Sequence, residues 1–180
     1  AAGRILEFVT GLGSDDLVLC LLSGGGSALL TLPIQGISLD EKRAVTQSLL
    51  NCGATISEIN SVRKHLSAIK GGRLAVAAYP AQTVTLAISD VPGDDPAIIA
   101  SGPTVADPST LADANYVIEK YQIKLPSAAK MVLARESSET PQAGDPLLQR
   151  ARVRLIVTPQ EALEAAAKVA LEGGVTPIIL

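Results

Sequence analysis

Apolar residues fall in two rhythms along this chain. Leu17–Leu22 is a short unbroken apolar run and Thr83–Ile88 is rich in β-branched residues, so both read as buried strands; Val153–Val157 and Val175–Leu180 also read as strands. Between them, apolar positions recur at helical spacing. Ile5, Leu6, Phe8, Val9 and Leu12 predict a helix over Arg4–Leu12 that Gly13 stops. Asp40 predicts the cap of a second helix ending near Cys52. A third starts at Thr55 or Ser57 and faces Ile56, Ile59, Val62, Leu66 and Ile69 to the core. Further helices are expected after Asp107-Pro108-Ser109-Thr110 to about Tyr121, from Pro126 through Ala134, and from Thr158-Pro159 to Glu172. Residues Glu136–Gln149 mix prolines, glycine and polar residues without a period, so they predict a mobile loop or linker.

Strands alternating with helices point to an α/β fold. Composition agrees. The chain is 180 residues long, 47% hydrophobic but only 2% aromatic, so its core is built from Ala, Leu, Ile and Val packed as helices on a parallel sheet. A net charge of −3 and scarce aromatics exclude a basic nucleic-acid footprint with base-stacking platforms. No apolar run reaches the length of a membrane span. Cys20 and Cys52 do not form a disulfide framework, and a cytoplasmic protein is expected. The alanine-rich helices can pack in the core or against a second copy in a homodimer, and the pattern leaves both open.

The candidate chemistry lies in loops that follow strands. Ser23-Gly24-Gly25-Gly26-Ser27 follows the first. Its glycines let the backbone turn sharply and approach an anion, its serines can donate, and a following helix would aim free N–H groups at it. Ser89-Asp90-Val91-Pro92-Gly93-Asp94-Asp95 follows the second, and its carboxylates suit a cation or a phosphorylated ligand held beyond the strand ends. A tight βα turn and a solvated acidic turn are the plainer alternatives. Asn60, Arg63 and Lys64 lie within about one helical turn. Lys70-Gly71-Gly72-Arg73 then sets paired glycines in a helical pattern, at roughly 1 kcal/mol each against alanine, a cost tolerated where backbone or ligand must come close. His65 is the only histidine and reads as structural.

Three motifs taken together resemble the glycerate kinase family whose second half is the MOFRL domain. They are Ser23–Leu29, Asn60–Ser67 with Lys70–Ala75, and Ser89–Asp94 with Ser101-Gly102-Pro103-Thr104. The resemblance implies a three-layer α/β/α sandwich with a mainly parallel, Rossmann-like sheet. It also implies ATP-dependent phosphorylation of D-glycerate, most often at the 2-hydroxyl, by a kinase acting on a nucleotide and a small-molecule substrate. Family members carry a Gly-Lys-Ala lysine upstream and a complete second domain. Neither is in this chain, so residues 1–180 are expected to be most of the first domain, without the MOFRL domain and inactive alone. In that scheme Ser23, Gly24, Gly25, Gly26 and Ser27 cradle phosphate or carboxylate. Arg63, Lys64 and Lys70 neutralise charge and Asn60 orients substrate. Gly71, Ser89, Gly93, Ser101, Gly102 and Thr104 complete the walls. Asp90 or Asp94 holds Mg²⁺ or accepts the hydroxyl proton. Some family members are labelled hydroxypyruvate reductase, but Ser-Gly-Gly-Gly-Ser lacks the Gly-x-Gly-x-x-Gly spacing of a nicotinamide site. A binding domain without catalysis is the remaining alternative.

Overall fold

Helices separate every pair of strands in sequence, which rules out hairpins and favours parallel pairing. The computed structural model describes residues 1–179. Strands β1 (Leu17–Leu22), β2 (Gln82–Ile88) and β3 (Ala151–Val157) form one parallel sheet in that order. The helices are α1 (Ala2–Val9), α2 (Gly26–Leu29), α3 (Leu39–Asn51), α4 (Ile56–His65), α5 (Arg73–Ala78), α6 (Leu111–Lys120), α7 (Ser127–Leu133) and α8 (Pro159–Glu172). Leu22 lies beside Ala87 and Ile88 beside Val157, so the loops leaving all three strands emerge on one edge of the sheet.

Local chemistry sets where the longer helices begin. Ser38 and Glu41, Thr55 and Glu58, Thr110 and Asp113, and Thr158 and Glu161 each form a reciprocal capping box at the start of α3, α4, α6 and α8. The expected Asp40 cap is thereby corrected to Ser38. The serine hydroxyl accepts from the Glu41 amide at 3.2 Å while Glu41 accepts from the Ser38 amide at 2.8 Å, and Asp40 falls inside the helix. The first helix also ends earlier than expected, at Val9, before Gly11 at φ +85°.

Two apolar clusters hold these pieces. Val45, Leu49, Ile59, Val62, Leu66, Val117, Val132 and Leu133 join α3, α4, α6 and α7. Ala2, Val9, Ile69, Leu74 and Ala78 pack α1 and α5 against Val18 and Cys20 on one face of β1. Leu17, Leu19 and Leu21 point the other way and are exposed, so β1 is not the fully buried strand its unbroken apolar run predicts.

Three further expectations are corrected. Glu136–Gln149 is an ordered strap, not a linker. Glu139 receives Nε2 of His65 at 2.9 Å and the Leu111 amide at 3.0 Å, and Ser138 and Thr140 are buried. Residues 175–179 form no strand, and Leu180 of that expected strand lies outside the described residues. Gly71 and Gly72 do not interrupt a helix but separate α4 from α5, both in the left-handed region. Backbone, not ligand, explains them. Their amides donate to Ser101 and Gly102 carbonyls at 3.0 and 2.7 Å, and a Cβ on Gly72 would sit 2.9 Å from the Val105 carbonyl oxygen.

Candidate functional site

Because β1 and β2 are parallel neighbours, the residues just beyond their ends must come together. A Cβ on Gly24 would lie 3.1 Å from Oδ2 of Asp90, so the glycine loop abuts that carboxylate. Gly25 turns the chain at φ +81°, a conformation that glycine alone adopts at little cost. Among the described residues, the Gly24 and Gly25 amides have no acceptor within the chain. The helix expected after them is a single turn, α2, so the cradle is a loop of amides with little macrodipole behind it. Gly25, Gly26, Ser27, Asn60, Arg63 and Asp90 line one cleft of about 230 Å³, closed by Ile56, Val91, Ile98 and Ala100.

Two cations brace the cradle. Arg63 donates to the Ser27 carbonyl at 3.0 Å and to Oδ1 of Asn60 at 3.2 Å, which fixes the guanidinium at the cleft. Lys70 is wholly buried and donates to the carbonyls of Ser27 at 2.8 Å and Ala100 at 3.4 Å. Burial, and then the charges of Arg63 and Lys64, lower its pKa to about 8. Burial likewise lowers the pKa of Arg63.

The opposite wall carries strain. Ala100, Ser101 and Gly102 follow one another at φ +52°, +64° and +58°. For the two residues with a Cβ this costs about 1–2 kcal/mol each. Surrounding bonds hold the segment there: Gly71 and Gly72 amides on its carbonyls, the Lys70 ammonium on Ala100, and Ser27 Oγ at 2.6 Å from Ser101 Oγ. Such strain concentrates at sites where geometry matters.

Not every expected residue reaches the cleft. Lys64 turns away to Asp107 at 3.0 Å in a buried ion pair. Thr104 is buried with its hydroxyl 2.7 Å from that of Thr85 in β2. Ser101 spends its hydroxyl on Ser27, and buried Gly71 and Gly102 support the strained segment. Ser89 is buried with its hydroxyl on the Val91 carbonyl, while Gly93, like Ser23, is exposed and outside the cleft lining. Asp94, at φ +54°, does not line the cleft, and its Oδ1 is buried without a partner. Among the described residues no group of three or more His, Cys, Asp or Glu side chains is placed to hold a metal ion. Asp90 is exposed beside the amides, which fits a magnesium ion bound through one carboxylate, phosphate oxygens and water rather than a protein cage. Sequence reasoning missed Ala100 and Lys42. The first looks like an ordinary small residue, and the second like any lysine of an amphipathic helix.

The arrangement of a parallel sheet, a glycine-loop cradle and an acidic loop at one sheet edge has close counterparts. The chain belongs to the family described as a domain of unknown function, DUF4147, whose profile matches residues 1–134. Among its relatives, an Agrobacterium vitis protein provisionally named hydroxypyruvate reductase is 59% identical over 180 residues, covering 100% of this chain and 40% of that protein. The D-glycerate 2-kinase of Thermotoga maritima is 45% identical over 171 residues, 95% of this chain and 39% of that protein. The crystal structure of a glycerate kinase from Thermotoga maritima superposes with a TM-score of 0.85 at 45% identity, over 96% of this chain and 40% of that one, and supports the α/β sandwich class. The chain thus spans about two fifths of the length of these relatives. No described helix is long and apolar enough to cross a membrane.

Proposed function

We propose that this chain is most of the first domain of an ATP-dependent kinase that phosphorylates D-glycerate at its 2-hydroxyl. The contact between Gly24 and the Asp90 carboxylate carries the reading, because it joins an anion cradle and an acid in one cleft. Phosphoryl transfer is mainly positioning and charge neutralisation. The Gly24 and Gly25 amides and Ser27 receive phosphate or carboxylate oxygens. Arg63 neutralises charge on the transferred group, and Asn60 orients both Arg63 and substrate. Lys70 is a positioning residue that holds the Ser27 and Ala100 carbonyls. The glycerate hydroxyl oxygen forms the new bond to the terminal phosphorus, and the bond from that phosphorus to the bridging oxygen breaks and leaves ADP. The hydroxyl proton passes to Asp90 or to water. Magnesium, when bound through Asp90, supplies positive charge for the phosphate oxygens.

The hydroxypyruvate reductase name among the relatives motivates a second reading. It lacks a nicotinamide fingerprint in the β1 loop, and the one histidine, His65, is buried against Ser61 and Glu139 away from the cleft. Two assays on the protein carrying this chain separate the readings. The kinase releases ADP with D-glycerate, and Asp90→Asn lowers that turnover by two or more orders of magnitude at unchanged folding. NADH oxidation with hydroxypyruvate in the absence of ADP release would overturn the kinase.

A further inference from the structure

A second pocket, rich in cations, shares Arg63 with the Asp90 cleft. It encloses about 420 Å³ between α2, α3 and α4, lined by Thr31, Lys42, Arg43, Thr46, Arg63 and Lys70, with Ala28, Leu29 and Leu39 as its apolar part. Lys42 is 4% exposed and Lys70 0%. Among the described residues neither has a carboxylate within ion-pair distance, and neither does Arg63; Arg43 pairs with the exposed Asp40 at 3.5 Å. A buried ammonium without a counter-charge costs several kcal/mol. Lys42 is partly satisfied by donating to the Arg63 and Leu66 carbonyls at 3.1 and 2.9 Å, at the C-terminal end of α4. That bonding caps the helix. It does not account for three cations turned into one cavity. An ammonium has three donors, and Lys42 and Lys70 each use two on the chain. Lys42, the less buried of the two, therefore keeps one N–H for a ligand, while wholly buried Lys70 contributes charge.

We propose that the Lys42–Arg63–Lys70 pocket is a phosphate-binding subsite separate from the Asp90 cleft, taking inorganic phosphate or the phosphate group of a small organic ligand. The inference goes beyond the kinase reading, which does not use Lys42. Burial, and the charges of Lys70, Arg63 and Arg73, push the pKa of Lys42 down to about 7. An entering dianion relieves that repulsion, so binding at pH 8 takes up a proton. Thr31 and Thr46 stand on the wall, although the Thr46 hydroxyl already donates to the Lys42 carbonyl at 3.0 Å and that of Thr31 to the Ala28 carbonyl at 2.8 Å. Each still accepts, but neither supplies a donor without rotating.

Calorimetric titration of the protein carrying this chain tests the pocket with inorganic phosphate, ADP and 2-phosphoglycerate, each at constant ionic strength. Binding of inorganic phosphate is expected to survive Asp90→Asn and to weaken tenfold or more in Lys42→Met, with proton uptake reduced in that variant because Lys70, at a pKa of about 8, still contributes. If an organic phosphate binds tighter than phosphate itself by the same Lys42 dependence, the ligand is an organic phosphate; equal affinity identifies free phosphate. Inorganic-phosphate binding that Asp90→Asn removes and Lys42→Met leaves intact would overturn the proposal, as would no binding of inorganic phosphate at all. Should Lys42→Met fail to fold, a crystal soaked in tungstate decides. Anomalous density between Lys42 and Lys70 supports the subsite, and its absence there refutes it. Phosphate binding of this kind in a protein that releases no ADP with D-glycerate would count against the kinase reading alone.

Discussion

Gly26→Ala is the most informative single change, because it presses on the contact between the cradle and the strained wall. A Cβ at this position would lie 2.8 Å from the Cβ of Ala100, closer than carbon atoms approach without something moving. Gly26 does not sit in the left-handed region, so the backbone itself accepts alanine. Overpacking of this kind costs about 1–3 kcal/mol, against a gain of up to about 1 kcal/mol from helix propensity in the single turn of α2. Ala100→Gly by contrast removes about 1–2 kcal/mol of left-handed strain. It loses about 0.8 kcal/mol of buried methyl and raises the entropy of the unfolded chain by about 0.4–1 kcal/mol, so it should be close to neutral. Combined, the two changes leave an alanine facing a glycine and most of the clash is gone. The expected result is a destabilised Gly26→Ala, a near-neutral Ala100→Gly, and a double variant restored by at least about 1 kcal/mol beyond additivity. Urea unfolding followed by circular dichroism measures all four corners. Simple additivity, or a Gly26→Ala protein as stable as the parent, would show that the two walls do not touch as described.

Other expectations follow from the buried charges. Asp107→Ala strands the Lys64 ammonium and removes the acceptor for Ser109 and Thr140, and should cost about 3–5 kcal/mol in urea unfolding. The double change Lys64→Met/Asp107→Leu should recover most of that loss. Lys42 has a folded pKa of about 7 against an ordinary 10.5. Between those values the unfolded chain binds more protons than the folded one, so stability should rise as pH is raised from about 7 toward 10. Lys42→Met should flatten that rise; an unchanged pH profile would mean that the lysine is not desolvated as its burial implies.

Local patterns made much of this molecule legible in advance. The capping boxes are written as Ser or Thr three residues ahead of an acid, and all four helices they start are expected to begin within a few residues of where they do. The convergence of Gly24 with Asp90 also followed from local signals, because parallel neighbouring strands deliver their trailing loops to one sheet edge. What stayed hidden depends on partners distant in sequence. Nothing near Lys64 announces Asp107, and nothing near His65 announces Glu139, so one was expected at the site and the strap of the other was expected to be mobile. Thr85 and Thr104 are joined through the core by a bond that no periodicity records. Lys42 sits on an amphipathic helix, where a lysine ordinarily reaches water; only the approach of α4 buries it. The outward leucines of β1 follow an apolar run that looks the same whether one face or both are covered.

The central claim is that the Gly24 and Gly25 amides, with Ser27, and the Asp90 carboxylate serve one bound ligand. Manganese can stand in for magnesium and broaden nearby amide resonances. In the glycine-¹⁵N-labelled protein carrying this chain, Mn²⁺ with ADP should broaden Gly24, Gly25 and Gly26 together, and Asp90→Asn should leave all three sharp. Glycine amides that stay sharp while nucleotide binds, or that broaden as strongly without Asp90, would contradict a shared site.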